Sequence, residues 1–256
     1  MIDDPRFSRL EARKCEIVNA ASKHIAMPAQ RDNEWDAGPE WDEYFQRVTA
    51  AESAAKSSDE FRTLELEVAA LEATITRHHR IASLHRAGVP AKDAGAIYDD
   101  TLRATTAFDA AREWAQSDLW LLALAGPAGT GKTTAAGWLV HQAGGGRMLR
   151  AQALARISVY DDEAMQRLES CSLLVIDDLG AEFVDGKGML LALLDHVVDS
   201  RYANRLRSTI TTNLSPADFK SRYGERIADR FREAGQFVWC AGPSIRRGTT
   251  TRLGTP

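Results

Sequence analysis

Residues 119–140 read LWLLALAGPAGTGKTTAAGWLV. An almost unbroken apolar run, 119–125, suits a parallel strand buried on both faces. A Gly-rich loop follows, and residues 135–140 continue as a helix. Gly126, Gly131, Lys132 and Thr133 match G-x-x-x-x-G-K-[ST], the P-loop that cradles phosphates. Gly129 and Gly131 permit backbone conformations that turn several N–H groups inward. The helix beginning near Lys132 offers its positive end to anions. Lys132 can reach β and γ oxygens as a point charge, and the Thr133 hydroxyl suits Mg²⁺. The expected nucleotide-binding residues are therefore Gly126, Pro127, Ala128, Gly129, Thr130, Gly131, Lys132, Thr133 and Thr134.

Three further segments complete the site. SLLVIDDLGAE (172–182) is an apolar strand ending in two aspartates. Strands of open α/β sheets deliver ligand-binding groups at their carboxyl ends. Asp177 is expected to hold the Mg²⁺ shell with Thr133, and Asp178 to orient or deprotonate an attacking water. STITTNL (208–214) closes a β-branched run on Asn213, which at a strand tip can hold the lytic water or sense the γ-phosphate. In RYGERIADRFRE (222–233), Arg222, Arg226 and Arg230 recur every four residues and would share one helical face. Spacing alone leaves two readings of that face. It is solvated, with Glu225, Asp229 and Glu233 as intrahelical partners, or it supplies an arginine finger to a neighbouring subunit.

Bulk properties narrow the class. A chain of 256 residues can bury one large domain plus an appendage. Its net charge of −4 excludes a generally basic nucleic-acid protein. Charge is uneven, at −6 over residues 1–100 and +2 over 101–256. Two surfaces with different partners are implied. Cys15, Cys171 and Cys240 are widely separated, so neither a disulfide framework nor a zinc site is supported, and buried reduced thiols are expected. No signal peptide and no membrane-length apolar run is present, which leads to the expectation of a soluble cytoplasmic protein.

The chain carries no internal repeat. Residues 1–26 suit a helix and 28–42 a loop containing Trp35 and Trp41. Residues 59–86 form the clearest helix outside the phosphate-binding region. Its Phe61, Leu64, Val68, Leu71 and Ile75 step by three and four, a seam that suits packing within a small N-terminal helical hairpin. Gly88-Val89-Pro90 marks the boundary, giving an N-terminal helical, partner-binding domain (1–88) and an ATPase domain (89–256). Residues 91–100 cross between them, and a helix spans 101–115. Then come strand 119–125, helix 132–143, strand 147–152, a helical segment to about 170, strand 172–177, helix 187–203, strand 207–212, helices 215–233 and strand 236–240. Such alternation means an α/β parallel sheet with helices on both faces. The residues from 242 onward are too few for a helical lid. Arg246, Arg247 and Arg252 in this tail could touch DNA, though a solvated tail suits them better.

GPAGTGKT (126–133), LLVIDDLGAE (173–182), TITTNL (209–214), YGERIADRF (223–231) and GPSIR (242–246) together resemble the DnaC-like helicase loaders of the AAA+ superfamily. The resemblance covers roughly residues 85–247. It implies an AAA+ P-loop NTPase core with the lid absent or truncated. Asn213 matches the sensor-1 position; Arg230 matches the arginine finger best, with Arg226 second. Many relatives carry Asp-Glu where this chain has Asp177-Asp178.

The same resemblance implies ATP and Mg²⁺ as ligands and a homo-oligomer in which each ATPase domain lends an arginine to its neighbour. It also implies binding to single-stranded DNA and to a hexameric replicative helicase. Residues 149–160, with Arg150 and Arg156, occupy the family's DNA-touching segment, although ordinary solvation explains the two arginines equally well. Two other readings stay open. One is an IstB-like transposition helper that binds duplex DNA and a transposase. The other is an ATP-switched adaptor with negligible turnover, which a shorter Asp178 carboxylate would suit.

Overall fold

The computed structural model describes residues 4–27, 39–158, 160–182 and 189–245, without the side chains of 39–41. The chain divides into two units, Met1–His79 and Arg80–Pro256. The sequence places this boundary at 88. Contacts divide the chain earlier because Ile81 and Leu84 already pack into the core of the second unit.

The first unit is helical. Helix α1 (Pro5–Ser22) starts on an Asp4 cap, whose carboxylate accepts from the Arg6 amide at 2.8 Å. Helix α2 (Pro39–Lys56) falls where the sequence suggests a loop and then no element. Its proline sits at the first helical position, where the missing N–H costs nothing. Helix α3 (Asp59–Arg86) carries the expected seam. Phe61 and Val68 are buried, Leu64, Leu71 and Ile75 are half-buried, and the residues between them are mostly exposed. The ammonium of Lys14 lies over the Phe61 ring, so α1 helps to cover the seam.

In the second unit, α4 (Ala91–Tyr98) and α5 (Thr106–Ala115) precede strand β1 (Leu121–Ala125). Residues 91–100 are thus a short helix, not a bare crossing, because Ala94 and Ile97 bury one face. Then follow α6 (Lys132–Ala143), β2 (Arg147–Arg150), α7 (Ala151–Leu154), α8 (Asp162–Ser170), β3 (Leu173–Leu179) and α9 (Met189–Ala203). The order closes with β4 (Arg207–Thr212), α10 (Pro216–Tyr223), α11 (Glu225–Ala234) and β5 (Gly235–Trp239).

All five strands are parallel, in the order β2-β3-β4-β1-β5. Side chains alternate across β1. Leu122 and Leu124 join one apolar core, with α4, α5 and α6. Leu121 and Ala123 join the other, with α7 through α11. This is the α/β parallel sheet with helices on both faces that the sequence predicts. The chain leaves β1 toward β2 on one side and leaves β4 toward β5 on the other. Right-handed crossovers then put the two helix sets on opposite faces. The carboxyl ends of β1 and β4 therefore flank a topological switch point, where open α/β sheets bind ligands.

Candidate nucleotide-binding site

The phosphate loop begins where β1 ends. The Gly126 amide donates to Thr212 O at 3.1 Å, and the Thr130 hydroxyl braces the loop by donating to Pro127 O at 3.0 Å. Gly129 and Gly131 have φ of 88° and 87°, a region unfavourable to residues with a Cβ. Gly131 also caps α6, so the first free amides of that helix face the loop. The Lys132 ammonium donates to Gly126 O and Pro127 O at 2.7 Å each and to Asn213 Oδ1 at 3.1 Å. This last contact joins the tip of β4 to the loop.

Asp177 lies on β3, two strands from β1, and is 4% exposed. Its Oδ1 accepts from Thr133 at 2.9 Å and from Thr211 at 2.7 Å. Burial pushes this carboxyl above its ordinary pKa, and the neighbouring Asp178 adds to the rise. The two threonine hydroxyls and the Arg150 cation pull the other way. Asp178 is exposed and has φ of 62° at an irregularity in the β3–β4 pairing. That kink turns the second aspartate out of the strand's regular alternation. Its amide donates to Thr211 Oγ1 at 2.9 Å. A single hydroxyl on β4 therefore holds both aspartates. Thr211 escaped the sequence reading, although a polar residue inside a buried strand is a signal that could have found it.

These groups line one cleft of about 560 Å³ with Pro90, Lys92, Asp93, Arg150 and Ile245. Two segments that the sequence left outside the site contribute to it, residues 90–93 and the chain beyond β5. Asp93, on α4, accepts from the Thr134 hydroxyl at 3.0 Å. Beyond β5 the chain lies along the phosphate loop: the Ile245 amide donates to Gly129 O at 2.8 Å and the Cys240 amide to Ala125 O at 2.6 Å. A Cβ on Gly129 would meet Ser244 Oγ at 2.1 Å. The donor set fits a magnesium triphosphate. Loop amides and Lys132 suit phosphate oxygens, and Thr133 with the Asp177 carboxylate suits a hard cation.

The arginine face is built differently from the sequence expectation. Gly224, with φ of 89°, separates α10 from α11. Arg222 therefore belongs to α10 and donates to Glu182, while Arg226 and Arg230 lie on α11. Their partners are not intrahelical. Arg226 pairs with Asp195 at 3.1 Å and Asp199 at 2.8 Å; Arg230 pairs with Asp199 at 2.5 Å and stacks over Tyr202. Docking of α11 on α9 places these carboxylates nearer than Glu225, which pairs with Lys220 and Arg232, and Asp229, which pairs with Arg232. The Arg226 side chain is 58% exposed and that of Arg230 28%. Neither lines the cleft of its own chain.

Arg150 lines the nucleotide cleft, whereas Arg156 is exposed at the end of α7. Cys240 is buried, Cys171 half-buried and Cys15 exposed, so the expectation of buried thiols fails at Cys15. That residue sits on α1, which buries no side chain fully. Trp35, Arg246, Arg247, Arg252 and the side chain of Trp41 lie outside the described residues. Among the described residues no helix is long and apolar enough to cross a membrane.

No protein-family model matches the sequence, and no curated protein matches it. Among solved structures, the chain is similar to the DnaC helicase loader at 22% identity and a TM-score of 0.44, over 51% of this chain and 86% of that one. It is similar to a primosome component from Streptococcus pyogenes serotype M3 at 20% identity and a TM-score of 0.43, over 55% and 79%. It is also similar to AMPPCP-bound DnaA from Aquifex aeolicus at 20% identity and a TM-score of 0.45, over 52% of this chain and 44% of DnaA. Likeness of this degree assigns neither activity nor partner.

Proposed function

We propose that this protein is an ATP-dependent helicase loader of the DnaC-like AAA+ type, whose ATP sites lie between neighbouring copies. The carrying observation is the division of the site. One cleft gathers Lys132, Thr133, Asp177, Asp178 and Asn213, while Arg226 and Arg230 stand outside it. Charge at the γ-phosphate is stabilised by nearby cations; Lys92 and Arg150 line the cleft, and a neighbour's α11 can add an arginine.

The residues then take these roles. Loop amides from Gly126 to Thr134 and the Lys132 ammonium bind the β and γ oxygens. Thr133 and Asp177 would hold Mg²⁺, which when bound would supply positive charge against the phosphates. Asn213 and Asp178 hold the attacking water. Its oxygen bonds to the γ-phosphorus as the bond to the ADP oxygen breaks, and Asp178 receives the proton. The neighbour's Arg230 or Arg226 stabilises the transferring group. Each must first leave Asp199, which makes turnover dependent on assembly.

Two surfaces suit the expected partners. Arg156 and Tyr160, a residue 88% exposed, follow β2 and suit a phosphate and a stacked base of single-stranded DNA. The acidic N-terminal unit exposes Phe45 and Leu66 and suits docking to a replicative hexameric helicase.

Co-purification from the native cell tests this reading. A hexameric helicase is expected to accompany the protein, and single-stranded DNA to bind more tightly with ATP present. A transposase, with tighter binding to duplex, would replace the reading with a transposition helper. Nucleotide binding without turnover at any protein concentration would replace it with an ATP-switched adaptor. Hydrolysis per subunit as fast in dilute as in concentrated protein would exclude an arginine acting between copies.

A further inference from the structure

We propose that Glu182 is a positioning residue that locks the loop carrying Asp178 to the helical arm carrying Arg226 and Arg230. The inference rests on reading Asp178 as the residue that holds the attacking water. Glu182 lies four residues beyond Asp178, and its side chain is 1% exposed. One carboxylate oxygen accepts from the Gly180 amide at 2.6 Å. The other accepts from the Tyr223 hydroxyl at 2.5 Å and from Arg222 Nε and Nη2 at 3.2 and 2.9 Å. Arg222 Nη2 also donates to Glu182 O at 3.1 Å. Every donor lies either in the Asp178 loop or at the end of α10.

The connections on both sides make this a lock rather than an isolated ion pair. The Ala181 amide donates to Asp178 O at 3.2 Å, so the loop turns tightly behind the aspartate. Gly180 lies against Leu214, one residue past Asn213. Helix α10 starts at the Ser215 cap, immediately beyond Leu214. Past Tyr223 only Gly224 separates α10 from α11. The carboxylate therefore sets Asp178, Asn213 and the arginine-bearing helix in one register. A buried, charge-paired carboxylate is a poor source of net stability but a good device for fixing register, because breaking it strands a charge.

Glu182→Gln keeps the shape and puts an amide NH₂ among groups that are all donors. Lys132, Thr133 and Asp177 stay in place, so Mg·ATP affinity is expected to remain within about two-fold. Hydrolysis per site is expected to fall roughly 10- to 100-fold, the scale of a misplacement near 1 Å. Amide exchange should accelerate at 178–182, at the end of α10 and in α11, and not throughout the chain. Arg222→Lys loses the forked grip while retaining charge, and should give a smaller fall of the same kind. Unchanged exchange and unchanged hydrolysis in Glu182→Gln would overturn the lock. So would parallel losses of affinity and hydrolysis with exchange accelerated throughout the chain, which would make Glu182 structural only. A wild type that binds Mg·ATP but never hydrolyses it would instead overturn the ATPase reading. The exchange pattern of the two variants would then decide the lock by itself.

Discussion

The phosphate grip and the arginine arm differ in how they are built. The grip is local. Gly126 to Thr134 are consecutive, buried or half-buried for the most part, and held by one strand end and one helix start. The arm is assembled from distant pieces. Arg222, Arg226 and Arg230 fall on two helices, and their carboxylate partners come from the loop after β3 and from α9. A local geometry encoded in contiguous residues survives translation from sequence to structure. One encoded by spacing alone depends on which elements dock against it.

The arm gives the largest expected effect. Replacing Arg226 and Arg230 together by alanine should leave Mg·ATP binding intact and lower kcat by about 10³-fold. Single-turnover hydrolysis at high protein concentration checks this, and the two single variants then rank the pair. A kcat within two-fold of wild type would reduce the arm to a packing element. The grip should respond in the opposite way. Lys132→Ala should weaken Mg·ATP binding by about 10²-fold through lost charged hydrogen bonds, each worth about 1.5–3 kcal/mol. Equilibrium binding of a fluorescent ATP analogue measures this, and unchanged affinity would sink the grip assignment.

The third contrast concerns stability. Burial raises the Asp177 pKa, so the folded chain holds this carboxylate at a cost once pH exceeds the ordinary value. Asp177→Asn should therefore raise the melting temperature without nucleotide by about 2–4 °C while abolishing Mg²⁺-dependent hydrolysis. A lowered melting temperature would show that the threonine hydroxyls need the charge more than burial opposes it.

The smallest effect belongs to Asp199, held below its ordinary pKa by the hydrogen bond from Arg230 and by the charges of Arg226 and Arg230. A depressed folded pKa places its stabilising contribution above the ordinary value of 3.8, to be lost as pH falls through the lower folded value. Asp199→Asn should lower the melting temperature at pH 6 by about 2 °C or less, because the pair is partly exposed and screened. That difference should shrink as pH falls below 3.8. Melting curves that stay equally separated from pH 6 to 3 would assign the effect to something other than the ion pairs.

Legibility followed the strength of local patterning. Strands β1 and β3 and helix α6 were readable because apolar runs end in residues with one chemical use. Helix α4 was not, because its buried face consists of Ala94 and Ile97 alone, too short a stripe to show a period. Helix α2 has many alanines but no sustained apolar stripe, so it reads as featureless. Asp93 and Ile245 were missed because they reach the cleft only through packing of segments far from the phosphate loop in sequence. The 222–233 segment misled because a four-residue repeat implies one helix only when nothing interrupts it, and Gly224 does.

The sequence by itself determined the glycine-rich loop between strand and helix, the aspartate pair ending β3 and the α/β alternation, because backbone conformation and hydrophobic period are local properties. Tertiary structure alone decided that Asn213 meets Lys132, that Thr211 holds both aspartates and that Arg226 and Arg230 face α9. It also decided that residues 240–245 lie along the phosphate loop. Those contacts arise from strand order and helix docking, which depend on the sum of many weak packing terms and leave no mark on neighbouring residues.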